Sequence, residues 1–316
     1  MITTVTLNAA IDKIFTLPGF ALNKVHRVQD PITVPGGKGI NVARVLRCLA
    51  QPVMATGLIA GHNGRLLLDG LHQESVPADF IDLGHGETRL AITMLDPHTG
   101  TQTECIEEGP FVEAKHLISL RNKVKPLAAR SSWVIFSGSL PAGCPVDLYA
   151  ELCQLAKSQG ASVALDTSGE ALLAGLEGRP DLVKPNEEEA VRYAGAVSPD
   201  REHLQMAALK LTEAGAGMAV ISMGGRGAVA AHAGRLYEVS LPPLSIVSPL
   251  GSGDAMVAGL VAAQLQRRST LEVLRYGAAC GTAAAMHAMA GFVDSDTVND
   301  LFSGIQASMT VTTSES

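Results

Sequence analysis

Short apolar, β-prone runs alternate with stretches of helical spacing along most of this chain, and that alternation narrows the possible folds more than any motif does. Ile2–Leu7, Val53–Gly57, Trp133–Ser137, Ser162–Asp166, Leu182–Lys184 and Met218–Ser222 read as short buried strands. Between them, Ile40–Leu49, Gly64–Glu74, Glu113–Ala128, Pro145–Gln159, Glu170–Leu176, Glu187–Ala194 and Glu202–Ala214 carry helical patterns. Strands without a polar face, joined by helix-length connections, predict an α/β chain with a largely parallel sheet covered on both faces. Its 316 residues suit one large domain of this kind, spanning 1–316.

Two stretches interrupt the alternation. Asp12–Val34 lacks a long helical pattern, and Arg89–Ile106 reads as a hairpin turning at Asp96–Gly100. Together, at about 12–34 and 89–106, they are expected to pair into a small β-sheet lid, a device that excludes water from chemistry beneath it. From Gly227 to Val247 the pattern turns to strand, and two Ala- and Gly-rich helices follow at about Gly253–Gln266 and Thr270–Met289. The Ser/Thr-rich tail Gln306–Ser316 has little to bury and is expected to fray.

Composition removes several function classes. A chain that is 47% hydrophobic is not disordered, and a net charge of −7 without a basic tract disfavours nucleic acid or an anionic membrane as the main partner. No apolar stretch is long and clean enough to span a bilayer, and no signal peptide opens the chain. Five scattered cysteines with no C-x-x-C read as reduced thiols, which points to the cytoplasm. The histidines and cysteines show no metal-ligand spacing.

The chemistry-bearing motifs are glycine turns and polar strand ends. Gly251-Ser252-Gly253-Asp254 leads into a helix, so the N–H groups of Gly251, Ser252 and Gly253 are expected to converge on one anion, with Asp254 beside it. The ordinary alternative is that Ser252 or Asp254 only caps that helix. Gly36-Gly37-Lys38-Gly39-Ile40-Asn41 is a second glycine turn before a helix, and Asn41 on its first turn is suited to hydroxyl groups. Lys184-Pro185-Asn186 followed by Glu189 sets two oxygens three residues apart at a helix start, able to face one hard cation or to cap the helix. Ser137–Pro141 and Asp166–Gly169 close buried strands, at the edge where open parallel sheets bind ligands. Gly225-Arg226-Gly227 imitates a dinucleotide fingerprint but runs into a strand, and no P-loop or G-x-S-x-G elbow is present.

In order and spacing these motifs resemble those of the ribokinase-like carbohydrate kinases, in particular the phosphofructokinase B branch. Thr6-Leu7-Asn8 to Asp12, Gly36–Ala43, Ser137–Pro141, Asp166–Gly169, Lys184–Glu189, Ser222–Gly227 and Gly251–Asp254 match across roughly residues 1–300. The resemblance implies a three-layer α/β/α ribokinase-like core with a small β lid, and ATP-dependent transfer of the γ-phosphoryl to a hydroxyl of a ketohexose phosphate. Fructose 1-phosphate is the leading substrate, with tagatose 6-phosphate and fructose 6-phosphate beside it and an inactive sugar-phosphate-binding regulator as the remoter reading.

By the same resemblance Asp254 is the catalytic base and Gly251, Ser252 and Gly253 form the anion hole. Asn186 and Glu189 place Mg²⁺, and Lys184, Asn186, Ser222, Gly224, Gly225 and Gly227 hold ATP. Asp12, Gly37, Asn41 and Ser137 bind the sugar, and Arg89 with Lys38, Lys24 or Arg27 grips its phosphate. A homodimer through the lid is implied as well. Three positions depart from the family pattern: Ala9, Pro249 and Met289-Ala290. The last two count against a family-type monovalent-cation site and against strong adenine-side contacts.

Overall fold

The computed structural model describes residues 1–196 and 198–310. β1 (Ile2–Thr6), β2 (Ala10–Thr16) and β3 (Ile32–Gly36) lead into α1 (Lys38–Cys48), followed by β4 (Val53–Ile59), α2 (Gly61–Gln73) and β5 (Ala78–Asp82). β6 (Arg89–Asp96) and β7 (Thr101–Ile106) form the hairpin. After it come α3 (Ala114–Ala129), β8 (Trp133–Ser137), α4 (Leu148–Ser158), β9 (Ser162–Asp166), α5 (Gly169–Gly175) and β10 (Leu182–Val183). α6 (Glu187–Ala194), α7 (Arg201–Glu213) and β11 (Met218–Ser222) precede β12 (Ala228–His232) and β13 (Arg235–Ser240). The last elements are α8 (Ser252–Leu265), α9 (Thr270–Ala285), α10 (Ser295–Gly304) and β14 (Gln306–Thr310).

Ten strands form one sheet in the order β14-β13-β12-β11-β10-β9-β8-β1-β4-β5. The seven from β11 to β5 run parallel, and β12, β13 and β14 extend one edge antiparallel. Alternation along β8 explains why the strands are apolar throughout. Trp133 and Ile135 join the core beneath α1, α2, α8 and α9, while Val134 and Phe136 join the core beneath α3 to α7. The Ala/Gly-rich pair α8 and α9 packs closely: a Cβ at Gly277 would stand 2.6 Å from Cγ of Leu260.

The two interrupting segments do form a separate four-stranded sheet, ordered β3-β2-β6-β7. β2 begins at Ala10 and β3 ends at Gly36, so both strands reach beyond the expected span, and residues 17–31 between them form an irregular connection. In its register Asp12 stands opposite Ala91, Ala91 opposite Ile106 and Thr93 opposite Glu104. These side chains share one face of the small sheet.

Two expectations need correction. Gln306–Thr310 does not fray but pairs antiparallel with β13, because an edge strand offers backbone partners whatever the side chains; residues 311–316 lie outside the described residues. α9 stops at Ala285 rather than Met289, and the Ala285 carbonyl accepts the N–H groups of Val247 and Ser248. Among the described residues no helix is long and apolar enough to cross a membrane, and all five cysteines are free thiols.

Candidate active site

Two glycine turns bring two helix starts together. Gly37 (φ +100°) lets the chain leave β3 and enter α1 at once; a Cβ there would press on the Thr6 side chain at 3.1 Å and the Ala9 backbone at 3.3 Å. Gly251 (φ +72°) does the same before α8, packed so closely on Ala290 that a Cβ would lie 2.6 Å from the alanine methyl. Asn41 on α1 and Asp254 on α8 consequently meet, the Asn41 amide donating to Oδ2 of the carboxylate at 2.9 Å.

A cavity of about 970 Å³ separates these helix starts from the small sheet. Asp12, Arg89, Thr93 and Glu104 line it from the small sheet, and Gly37, Lys38 and Asn41 from the start of α1. Asp166, Lys184, Asn186 and Glu189 line it from the sheet edge, and Gly251–Asp254 close it. A second, apolar cavity of about 320 Å³ opens beside it, walled by Gly225, Gly227, Leu241–Leu244, Ile246, Thr282 and Ala285. The two share Ser222, Gly224, Pro249, Ser252 and Gly253, so a ligand spanning both must pass the glycine loop.

The electrostatics are those of a site built around buried charge. Burial raises Asp254 to about 7; Lys38, the Asn41 hydrogen bond and Lys184 pull it down, and Asp166 pushes it up. Asp166 is buried at the end of β9, with Oδ1 3.5 Å from Lys38 Nζ and 3.8 Å from Lys184 Nζ. Its carboxylate holds the Lys38 ammonium charged far above the ordinary lysine range. Asp12 is raised to about 6, first by burial and further by Glu104, against Arg44 and Arg89. Several polar atoms here are buried without a partner, namely Asp166 Oδ2, Asn41 Oδ1 and Arg89 Nε. Orphaned donors and acceptors in one cavity mark a place made for a polar ligand.

Not every expected residue falls where the motifs put it. The Ser252 N–H and hydroxyl both turn back to the Pro249 carbonyl, at 3.2 and 2.8 Å, in the tight turn that starts α8. No such turn bond is made by the N–H groups of Gly251 and Gly253. The helix cap is Gly251, without a side-chain cap bond, so Asp254 is not a cap. Asn186 and Glu189 do cap α6: Asn186 Oδ1 accepts the Glu189 N–H at 2.8 Å, and Glu189 Oε2 accepts the Asn186 N–H at 2.9 Å. Both still line the cavity, with Glu189 Oε1 outside that exchange.

Ser137 is fully buried, in register with Asp166, and is not part of the cavity wall. Lys24 and Arg27 are exposed in the 17–31 connection and do not line the cavity either. Sequence reasoning passed over Glu104 and Thr93, although their positions on alternating strands of a hairpin place them on one face. It also left Asp166 as a polar strand end rather than as the anchor of two lysines.

The family model for pfkB family carbohydrate kinases matches residues 5–296 of this sequence. The chain belongs to that family. Its members are ATP-dependent phosphotransferases acting on sugars, and this pfkB-family chain is an enzyme of that kind. Among solved structures it is similar to phosphofructokinase-2 from Escherichia coli in complex with fructose-6-phosphate. The identity is 28%, the TM-score is 0.88, and 96% of this chain and 98% of that one are covered. It is also similar to a Thermotoga maritima protein described as a possible 1-phosphofructokinase, at 27% identity and TM-score 0.89, covering 98% and 100% of the two chains. Arabidopsis thaliana ribokinase, solved with ribose and ATP, shares the fold at 21% identity and TM-score 0.75, covering 95% and 98%. The pfkB-family chain thus has the ribokinase-like fold, a large mostly parallel sheet with a small separate one.

Proposed function

We propose that this pfkB-family kinase transfers the γ-phosphoryl of ATP to a ketohexose phosphate, converting fructose 1-phosphate to fructose 1,6-bisphosphate, beneath the small sheet acting as a lid. The observation that carries the reading is Asp254: a buried carboxylate with a raised pKa, held by Asn41, on the first turn of the helix that the Gly251–Gly253 loop opens. A base near neutrality next to an anion hole is the arrangement that phosphoryl transfer to an alcohol requires.

In this reading Asp254 takes the proton of the acceptor hydroxyl as its oxygen attacks phosphorus. The Gly251 and Gly253 N–H groups and Lys184, whose Nζ reaches Gly253, meet the charge that develops on the transferring phosphoryl group. Asp12 and Asn41 orient the sugar hydroxyls. Arg89, with its unpartnered Nε, and the ammonium of Lys38 take the phosphate the sugar already carries. The apolar cavity accepts the adenine. Glu189 and Asn186 would hold Mg²⁺, which when bound would supply charge neutralisation of the nucleotide phosphates.

An ATP-consumption assay across fructose 1-phosphate, fructose 6-phosphate, tagatose 6-phosphate, fructose and adenosine tests the reading. The highest kcat/KM is expected for fructose 1-phosphate. A preference for either other sugar phosphate would reassign the substrate within the branch. Equal turnover of unphosphorylated fructose or adenosine would overturn the phosphate grip, and no turnover with any acceptor would leave a sugar-phosphate-binding regulator.

The lid also supports a homodimer as the working form. Leu22 and Val25, in the connection between two lid strands, are 83% and 88% exposed. Sedimentation equilibrium checks this reading, with Leu22→Glu and Val25→Glu expected to give monomers.

A further inference from the structure

Three ligand-bearing side chains outside the active site converge at the base of the small sheet. His85 lies in the connection entering β6, Glu113 closes the connection leaving β7, and His116 stands on the first turn of α3. One ligand atom from each falls within 4.8 Å of the other two. Glu113 and His116 are three residues apart, but His85 is too far from them in sequence for a spacing motif to reveal all three. Gly84 and Gly86, at φ +71° and +72°, fold the chain tightly around His85 and turn its ring toward α3, 5.5 Å from the ring of His116.

One tautomer of His85 is suited to ligation. His85 Nε2 stands 3.0 Å from the Phe111 carbonyl, while Nδ1 stands 3.0 Å from the Leu83 carbonyl and 3.4 Å from Glu113 Oε1. A neutral imidazole donates from one nitrogen only. Donation from Nε2 to Phe111 leaves the Nδ1 lone pair beside the carboxylate, with the other nitrogen tied to a backbone carbonyl as metal-bound histidines usually are. His116 Nδ1 accepts the Glu113 N–H at a long 3.3 Å in the capping box that opens α3, and an ion bound there takes that lone pair in its place. His116 is buried, whereas His85 and Glu113 are partly exposed, so an ion has a route in from solvent. Lys115 Nζ, 3.1 Å from Glu113 Oε2, has to move aside; its side chain is 66% exposed and free to do so.

We propose that His85, Glu113 and His116 bind a first-row transition ion of zinc type through two imidazole nitrogens and one carboxylate oxygen, with water completing the shell. Two nitrogens and one oxygen suit zinc or cobalt and not magnesium, which keeps this site chemically separate from Asn186 and Glu189. The ion would join the connection that enters the β6–β7 hairpin to the one that leaves it, bracing that hairpin against the core.

The test titrates Co²⁺ into the protein in excess Mg²⁺, follows the intense visible absorption of four-coordinate cobalt, and then adds Zn²⁺. One equivalent of cobalt is expected to bind with that spectrum and to be displaced by zinc. His85→Asn and His116→Gln should each weaken binding by more than about 100-fold, beyond the loss caused by removing an outer-shell partner. Glu113→Gln, at a partly exposed position, gives the same reading should the buried His116 variant fail to fold. The six-coordinate spectrum of aqueous cobalt in the wild-type protein would overturn the proposal. So would a four-coordinate spectrum that survives both His85→Asn and Glu113→Gln.

Discussion

Asn41 and Asp254 open two different helices, yet the amide of one donates to the carboxylate of the other at 2.9 Å. The bond engages Oδ2 and leaves Oδ1 outside it, on a residue that lines the cavity. Asp254→Asn keeps the shape and removes the proton acceptor, so kcat is expected to fall by about 10²–10⁴-fold with ATP binding unchanged. Single-turnover kinetics with calorimetric ATP titration check this, and a variant within tenfold of wild type would remove Asp254 from the role of base.

The pH dependence follows from the same carboxylate. Burial raises Asp254 to about 7, and only the deprotonated form accepts a proton, so kcat should climb with pH and level off above about 7. Asn41→Ala deletes a hydrogen bond that lowers this pKa and should carry the limb to higher pH. A profile that stays in place would detach Asn41 from the base. Stability should show the opposite sign, because a carboxyl raised on folding holds its proton longer in the native state. Wild-type stability is thus lost between about 4 and 7 as pH rises, and Asp254→Asn should escape that loss, on the order of a few kcal/mol.

Arg89 holds one hydrogen bond to the Asn8 carbonyl and keeps Nε buried without a partner. Arg89→Ala should raise KM for the sugar phosphate by about 10- to 150-fold, the worth of a charge-assisted contact, and leave KM for ATP unchanged. Steady-state kinetics with each substrate varied in turn decide it.

Glu189→Gln preserves the reciprocal cap with Asn186, since glutamine caps as glutamate does. The Mg²⁺ titration of turnover should move to higher concentration while the melting temperature stays put. Superimposable titrations would leave Glu189 with capping alone.

Filling the apolar cavity separates the two substrates. Ala285→Leu intrudes on a space of about 320 Å³ and should raise KM for ATP on the order of tenfold, with the sugar-phosphate KM unaffected.

The parallel core was legible because its strands are buried on both faces, a pattern few other folds require. β5 and α10 were not foreseen: β5 is only partly buried along its length, and α10 buries only Val298 fully. The glycine turns announced Asp254 and Asn41 as residues near helix starts. Their meeting depended on α1 and α8 packing side by side, which no local pattern encodes. Ser252 was misjudged for a different reason. Its N–H looked free by position, and whether Pro249 would claim it is decided by the dihedrals of the turn.

Gly37 is the single residue between β3, an edge strand of the small sheet, and α1, which carries Lys38 and Asn41. In the function proposed above, sugar recognition and the readiness of the base would therefore share one mechanical coordinate, with no linker to uncouple them. On that proposal, a sugar that shifts the small sheet would also shift the amide that steadies Asp254, so a poorly fitting acceptor would be penalised in rate as well as in affinity. The same stiffness limits how such an enzyme could acquire a new sugar, since each adjustment of the small sheet is also an adjustment of the chemistry.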